Sequence, residues 1–292
     1  MLPSPTMRAR TLTSIALLAF VAACSSGDAP AAPEKNACVH EPAGWPSPPL
    51  SESVCVAGVR GRAVEPSGAP LAGMLVSVCG VACFSATTSD DGSFRVPIGA
   101  HLTTERFSLE VHGRPDHAEL YARLPSPLVL EPNIGTVLVP ILPPSTVALP
   151  DDGAPAATLT AGPLSLSIPG GTTWTLALED IAAGPPGRAL RVAEVPIGDA
   201  PLFAKGALRV YALAPASARA SAKVAVRLSG VTGVAPGTVI ELSVVVADYL
   251  TEMNAAGTTE VAASAHVTAD GVIESDPGEG ITLLTWLVVR VK

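Results

Sequence analysis

Glycine and proline interrupt this chain at short intervals and thereby restrict what it can fold into. The 292 residues include 26 glycines and 29 prolines, two residue types that are unfavourable inside helices and frequent in turns. Between them lie short runs in which apolar and polar residues alternate, such as VSVC, SFRVPI, SLSI and RVYALA. Alternation with a period of two is typical of a strand with one buried face. The sequence therefore predicts an all-β protein built from short antiparallel strands.

The strand-like runs fall into two groups, separated by a segment that contains PPS and ALPDDGAPAAT. We therefore expect two tandem antiparallel β-sandwich domains, at residues 51–143 and 144–292. Apolar residues make up 48% of the chain but aromatic residues only 4%, so the cores should consist mainly of small side chains.

Two tryptophans of the second group are expected in its core. Trp174 alternates in phase with Leu176 and Leu178, and Trp286 alternates in phase with Leu284 and Val288. A tryptophan that shares a strand face with aliphatic residues is more often a core residue than a surface for ligands to stack on.

The N-terminal segment combines positive charge with a short apolar run. Arg8 and Arg10 precede nine apolar residues at 15–23, whereas a membrane-spanning helix needs about 20. The run ends in VAAC, which resembles the lipobox of bacterial lipoprotein signal peptides. The resemblance implies that residues 1–23 are a signal peptide and that Cys24 is lipidated and becomes the new N-terminus. The alternative is an ordinary secretory signal cleaved near Ala23, with Cys24 incidental.

The segment that follows Cys24 has the composition of a tether. Residues 24–50 contain six prolines among small and polar residues and show no periodicity, which indicates an extended linker. By resemblance to the lipoprotein sorting rule, Ser25 in place of an aspartate points to the outer membrane. We therefore expect a lipid-anchored protein of the bacterial cell envelope that contacts the lipid bilayer through its acyl anchor.

The charge distribution argues against nucleic acid as a partner. Outside residues 1–23, 16 basic residues stand against 26 acidic ones, a net charge of −10. An acidic chain lacks the positive field that binding to nucleic acid requires.

Four cysteines remain once Cys24 is set aside, and an even number in an exported chain indicates disulfides. Cys38, Cys55, Cys79 and Cys83 allow three pairings. Strand alternation places Cys79 and Cys83 on matching faces across a short turn, which favours Cys79–Cys83 and leaves Cys38–Cys55. A zinc site is the alternative, but CGVAC supplies only one closely spaced pair of cysteines.

The first group of strands carries a family resemblance. Residues 55–100 contain GVRGRAVEPSGAPLAGMLVSV and TTSDDGSFRV, which together resemble the carboxypeptidase regulatory-like domain. The resemblance implies a seven-stranded, prealbumin-type β-sandwich, related to carbohydrate-binding-like folds, that occurs beside metallocarboxypeptidase domains and alone in bacterial surface proteins. The H-x-x-E zinc motif of those peptidases is absent from the sequence. Asp91-Gly92, between ATT and SFRVPI, is expected to form a hairpin turn.

The second group has a fainter resemblance. GPLSLSIPGG, GVAPGTVIELSVV and VTADGVIESDPGEGIT resemble domains of bacterial surface lipoproteins that are similar to the zonula-occludens/ankyrin-type sandwich. This resemblance again implies an antiparallel β-sandwich.

Two clusters of side chains contain residue types that can bind a metal ion. His112, Asp116 and His117 lie close together in sequence, without a constrained spacing, and are expected to be solvated loop residues. Asp270, Glu274, Asp276 and Glu279 form an acidic loop whose spacing does not match the EF-hand, so a solvated turn is expected and calcium binding stays an open alternative. The sequence predicts no metal site and no cofactor.

The chain contains no G-x-S-x-G, phosphate-binding P-loop, H-E-x-x-H or C-x-x-C motif, so we predict no catalytic residue and no enzyme. The sequence identifies no ligand-binding residue.

The expected function is that of a membrane-anchored surface or periplasmic lipoprotein with a non-catalytic structural or interaction role, whose partner is a cell-envelope protein or glycan. The alternative is a carbohydrate- or cell-wall-binding module. It would need exposed aromatic side chains, for which the sequence offers Trp45, Tyr121, Tyr211 and Tyr249.

Overall fold

The computed structural model describes Cys38 and residues 53–80, 82–104, 107–113, 116–246 and 257–292. These residues belong to one compact unit. They form an all-β fold with several antiparallel sheets and one short α-helix. Cys24, Ser25, Trp45 and Tyr249 lie outside the described residues.

The first half of the fold contains seven strands. They are β1 (Val54–Val64), β2 (Leu75–Cys79), β3 (Cys83–Thr87), β4 (Ser93–Leu102), β5 (Ser108–Val111), β6 (Leu120–Arg123) and β7 (Asn133–Leu138). One sheet has the order β3-β2-β5-β6 and the other the order β4-β1-β7. Neighbouring strands are antiparallel, except that β1 and β7 run parallel. Apolar side chains from both sheets form a common core, which we call the first core.

The Asp91-Gly92 turn forms, but the hairpin prediction is wrong. The Gly92 amide donates to the carbonyl of Ser89 over 2.8 Å, so a tight turn is present. However, β3 pairs with β2 whereas β4 pairs with β1, so the turn carries the chain from one sheet to the other. The turn packs against β1, because the Ala63 amide donates to the Gly92 carbonyl over 2.8 Å.

The second half contains eleven strands and the helix. They are β8 (Ala157–Ala161), β9 (Leu164–Ile168), β10 (Trp174–Thr175), α1 (Leu178–Ala183), β11 (Arg191–Glu194), β12 (Arg209–Ala214), β13 (Ala218–Leu228), β14 (Val239–Val245), β15 (Thr259–Val267), β16 (Ile273–Ser275), β17 (Ile281–Leu284) and β18 (Trp286–Val291). All eleven strands belong to one hydrogen-bonded network. The long strand β13 pairs with β10 and β17 through one part of its length and with β9 and β16 through another. This network surrounds a second core.

The sequence predicts that Trp174, Leu176 and Leu178 share one buried face of a strand. Burial against the core is confirmed for the first two residues only. Trp174 is buried in the second core and Leu176 packs against it, but Leu178 is exposed. The chain turns into α1 at Leu178, and Glu179 and Asp180 occupy its first turn, where carboxylates are favourable. The helix ends at Ala183 and is capped by Gly184, which is followed by two prolines.

The two cores meet at β12 and β18, which are apolar on both faces. Along β12, Tyr211 and Leu213 enter the second core, whereas Val210, Ala212 and Ala214 enter the first core. Strands buried on both faces are typical of the interior of a larger structure. The two halves therefore share apolar contacts.

Trp286 belongs to the first core together with Val288, whereas Leu284 belongs to the second. The phase that the sequence predicts for these three residues breaks because the strand is interrupted at Thr285, between β17 and β18.

The segment expected to be a linker is partly built into the second half. Leu149 is buried in the second core, and its amide donates to the carbonyl of Arg188 over 2.9 Å. The Asp152 carboxylate accepts a hydrogen bond of 2.8 Å from the amide of Trp174.

Candidate functional site

A row of polar side chains crosses the four-stranded sheet of the first half. Ser85, Ser77, Glu110 and Tyr121 stand opposite one another on successive strands from β3 to β6. Opposed residues share a sheet face. We call these four residues the polar row. Ser77, Glu110 and Tyr121 are all buried, and buried polar groups are costly unless they are hydrogen-bonded.

Two residues in the middle of the polar row, Ser77 and Glu110, lie beside His112. Together the three side chains have the composition of a serine–histidine–acid group. Ser77 Oγ lies 2.8 Å from Ser85 Oγ and 3.1 Å from Nε2 of His112. Glu110 Oε2 lies 3.8 Å from that same Nε2 atom. Burial lowers the pKa of His112, an effect that the Glu179 carboxylate opposes.

The geometry of this group does not match an activated nucleophile. In a catalytic triad the serine and the carboxylate contact opposite nitrogens of the imidazole, so that the acid orients the ring. Here Ser77 and Glu110 approach the same nitrogen. In addition, the Ser77 residue is only 3% exposed.

The end of the polar row connects the two halves. The Tyr121 hydroxyl donates to the Glu119 carboxylate and lies 2.9 Å from Ser217 Oγ, which precedes β13 in the second half. Because the phenol has one proton and gives it to Glu119, Ser217 donates to the phenol oxygen. Trp286 Nε1 donates to the backbone carbonyl of Glu119 over 2.6 Å. We call Glu119, Tyr121, Ser217 and Trp286 the seam cluster.

Ser217 has an unusual backbone conformation within the seam cluster. Its φ angle is 61°, in the left-handed region that costs a non-glycine residue free energy. Its hydrogen bond to Tyr121 and the surrounding core compensate for that cost.

Acidic groups of both halves influence one another around the seam cluster. Burial raises the pKa of Glu119, which the hydrogen bond from Tyr121 partly offsets. Burial and the nearby Glu119 charge raise the pKa of Asp180, on α1, to about 6, although Arg191 acts in the opposite direction. Burial and the Glu119 charge also raise the pKa of Tyr121 well above its ordinary value, so the phenol stays protonated.

Arg191 completes this group of charges. Its Nε atom is buried and has no hydrogen-bond partner among the residues that the structure describes. Burial lowers the pKa of Arg191, while Asp180 and Asp116 raise it. The arrangement offers a set of hydrogen bonds between the halves and two carboxyls, Glu119 and Asp180, whose pKa values are raised. Sequence reasoning missed it, because Ser217 is 96 residues away from Tyr121 and no local pattern joins them.

His117 is not the solvated loop residue that was expected. It is only 7% exposed. Its Nδ1 atom lies 2.9 Å from the Asp116 carboxylate and its Nε2 atom lies 3.3 Å from Glu65, at the end of β1. His117 also forms a β-bridge with Ile141, which explains its burial. His112 is half-buried and contacts Ser77 rather than His117.

The acidic loop near Asp270 does not bring its carboxylates together. Asp270 accepts a hydrogen bond from Thr268 and lies 3.4 Å from Arg227. Asp276 and Glu279 each contact a different basic side chain, at 2.8 Å from His266 and 3.0 Å from Lys223, while Glu274 lies exposed on β16. Among the described residues, no group of three or more histidine, cysteine or acidic side chains is arranged to hold a metal ion.

The aromatic residues considered for glycan binding lie inside the fold where they are described. Tyr121 and Tyr211 are buried, as are Trp174 and Trp286. A stacking surface for sugars needs exposed aromatic rings, so these four side chains do not provide one. Trp45 and Tyr249 fall outside the described residues.

The structure contains the two disulfides that strand alternation favours. Cys79 pairs with Cys83 directly across the β2–β3 hairpin, with Cα atoms 4.1 Å apart. Cys38 pairs with Cys55 on β1, with Cα atoms 5.9 Å apart. The second bond ties the chain that precedes the β fold to its first strand.

No family model and no curated protein matches this sequence. Within the described residues, none of the helices has the length and apolar character needed to cross a membrane.

Proposed function

We propose that the protein is an exported lipoprotein, anchored through Cys24 in the outer membrane of a bacterial cell envelope, with a non-catalytic structural or interaction role. The two disulfides carry this proposal. Disulfides form and persist in oxidising compartments outside the cytosol. They also pair four of the five cysteines, which leaves no cysteine of this chain to pair with Cys24.

The sequence around Cys24 supplies the second support. The apolar run that ends in VAAC resembles a lipobox, and the lipid attached to such a cysteine anchors a protein stably when two or more acyl chains are present. The resemblance of residues 55–100 to the carboxypeptidase regulatory-like domain agrees with a surface module that works without a catalytic partner. The burial of Ser77 and its arrangement with His112 and Glu110 support a non-catalytic role.

Metabolic labelling with an alkyne analogue of palmitate tests the anchor. In a bacterial host we expect label on the wild-type chain and on Ser25→Ala, which keeps the cysteine, and no label on Cys24→Ser. The mass of the mature N-terminal peptide should place the lipid on Cys24. An unlabelled wild-type chain that is cleaved near Ala23 and released in soluble form would establish the ordinary secretory signal instead.

Density-gradient separation of the membranes tests the location. The labelled wild-type chain should sediment with the outer membrane, and Ser25→Asp should move it to the inner membrane. Sedimentation of the wild-type chain with the inner membrane would contradict the assignment to the outer membrane, whereas an outer-membrane Ser25→Asp chain would contradict the role given to Ser25.

A fluorophosphonate probe, which labels activated serines, tests the non-catalytic role. We expect no labelling of the folded wild-type chain under conditions that label a known serine hydrolase completely. Labelling that disappears in Ser77→Ala or Ser217→Ala would reveal a nucleophile and overturn this part of the proposal.

A further inference from the structure

The first core is open along one edge of its two sheets. β6 is the last strand of the sheet β3-β2-β5-β6, and β7 is the last strand of the sheet β4-β1-β7. These two edge strands line one cavity of about 580 Å³. The second half closes its other sides with residues 198–203, before and within a short 3₁₀ turn, and with residues 257–259 at the start of β15.

The lining of this edge cavity is mainly apolar. Its side chains include Leu109, Leu120, Ala122, Ile134, Val137 and Phe203. A volume between about 300 and 1,000 Å³ with a mostly hydrophobic lining is typical of small-molecule sites, which occur preferentially between domains. By volume the cavity could take on the order of 20 water molecules, but such a lining offers water few hydrogen bonds.

The short 3₁₀ turn Leu202–Ala204 exposes one large apolar side chain, Leu202, beside the cavity, although the rest of the turn is packed against the protein. Phe203 packs edge-on against Trp286, with ring centroids 5.4 Å apart, and its carbonyl accepts a hydrogen bond of 2.6 Å from Arg290. Ala204 is buried in the first core. Leu202, which begins the same turn and lines the cavity, is nevertheless 94% exposed. Because its neighbours are fixed, the chain presents Leu202 to solvent instead of folding it inward.

We propose that the edge cavity binds the hydrocarbon chain of a single-chain amphiphile, with Leu202 covering the chain and the polar head of the ligand in solvent at the opening. An alkyl chain suits this lining, since it needs no hydrogen bonds and gains free energy by leaving water. Binding would also bury Leu202. The proposal does not depend on lipidation of Cys24, because the cavity lies entirely within the described β fold.

The test uses the full chain with Cys24→Ser in detergent-free buffer, so that neither its own acyl chains nor detergent compete. The apolar fluorophore N-phenyl-1-naphthylamine should show saturable, one-site fluorescence enhancement. Dodecanoate should displace it below its micelle concentration, whereas butyrate, whose chain is too short to fill the cavity, should not. The absence of saturable binding, or equal displacement by butyrate, would overturn the proposal.

A matched pair of surface variants tests the position of the site. Leu202→Ser should weaken probe binding about tenfold, since the side chain loses the apolar area that it would bury on the ligand. Leu178→Ser removes another exposed leucine, 79% exposed on α1 and outside the cavity, and should leave binding unchanged. Equal effects of the two substitutions would contradict the assignment.

Filling the cavity provides an independent test. Ala122→Phe places a ring in the space between β6 and β7 and should abolish probe binding, with circular dichroism to verify the fold. If that variant does not fold, the comparison of Leu202 with Leu178 still decides the question, because both side chains are exposed.

A titration with a single-chain lipid identifies the source of the ligand. Displacement of the probe by lysophosphatidylcholine below its micelle concentration, as well as by dodecanoate, would indicate a chain that carries a membrane-lipid head group. Displacement by dodecanoate alone would indicate a free amphiphile.

Discussion

Tyr121 is the residue through which the polar row reaches the second half. Its buried hydroxyl serves both Glu119 and Ser217, so its removal leaves two polar groups without their partner. The sequence predicts that Tyr121 lies in a strand-like run. It does not predict the contact of Tyr121 with Ser217, because that contact depends on how two separate groups of strands pack. The same applies to His117, which is buried by its β-bridge with Ile141 and contacts Glu65, 52 residues earlier.

Tyr121→Phe should lower the free energy of unfolding by about 1–3 kcal/mol, the usual cost of leaving buried polar groups unpaired. Urea unfolding monitored by circular dichroism measures the loss. Tyr211→Phe is the matched control, since Tyr211 is buried as well but its hydroxyl has no hydrogen-bond partner among the described residues. Equal losses in the two variants would show that the seam cluster contributes nothing through Tyr121.

Asp180 should make the stability of the protein depend on pH. Its pKa is about 6 in the folded chain, against 3.8 as the ordinary value. Between these values the folded state holds a proton that the unfolded state releases, so stability falls as pH rises from about 4 to 6. The contribution of Asp180 is therefore greatest below pH 4 and is lost above pH 6. Because the side chain is partly solvated, we expect about 1 kcal/mol or less.

Thermal unfolding between pH 4 and pH 7 measures this effect. Asp180→Asn should reduce the fall in melting temperature across that range. Asp270→Asn is the control and should leave the profile nearly unchanged, since a hydrogen bond from Thr268 and further contacts lower the pKa of Asp270, so its contribution is lost mainly below pH 4. A pH profile that Asp180→Asn leaves unaltered would contradict the raised pKa.

At the scale of elements, strand existence is easier to predict than strand partners. Alternation located β1, β4 and β12, because each buries one face or both. The Asp91-Gly92 signal correctly indicated a turn, yet a turn motif contains no information about which sheet the next strand joins. Alternation also failed at Leu178, where a helix with an acidic first turn begins; two residues separate it from the end of a two-residue strand.

Gly92→Ala tests the role of the sheet-changing turn. Gly92 has a φ of 80°, and a Cβ atom there would lie 2.4 Å from the carbonyl oxygen of Ala63. Gly68→Ala is the matched control, because Gly68 has a φ of 85° in open space. Both variants incur backbone strain, so the difference between them reports the clash. The clash should make Gly92→Ala less stable than Gly68→Ala by roughly 2 kcal/mol in urea unfolding. Equal unfolding midpoints would mean that the turn can move away from β1.

At the scale of the whole molecule, the two groups of strands share a core. Eight buried residues of the second half belong to the first core: Val195, Ala204, Val210, Ala212, Ala214, Val245, Trp286 and Val288. The sequence predicted two strand groups but not this contact, since alternation cannot tell which apolar face of a doubly buried strand meets another group. We therefore expect both halves to unfold in one cooperative transition.

Gly257, just before β15, lies against the backbone of the first half. Its φ is 78°, and a Cβ atom would lie 2.9 Å from the carbonyl carbon of Ala122 and from the amide nitrogen of Arg123 on β6. Both neighbours are backbone atoms, so neither can move without displacing the edge strand of the first half. A side chain at this position therefore forces the halves apart.

Gly257→Ala should consequently destabilise the molecule beyond the backbone strain of about 1–2 kcal/mol that alanine meets in the left-handed region. Gly278→Ala isolates that strain, because Gly278 has a φ of 80° with no atom near a Cβ. In urea unfolding the Gly257 variant should have the lower midpoint, and tryptophan fluorescence, to which Trp286 between the halves contributes, should change before circular dichroism does. Equal midpoints for the two variants, with fluorescence and circular dichroism changing together in both, would show that the fold accommodates a Cβ atom at position 257 without separating the halves.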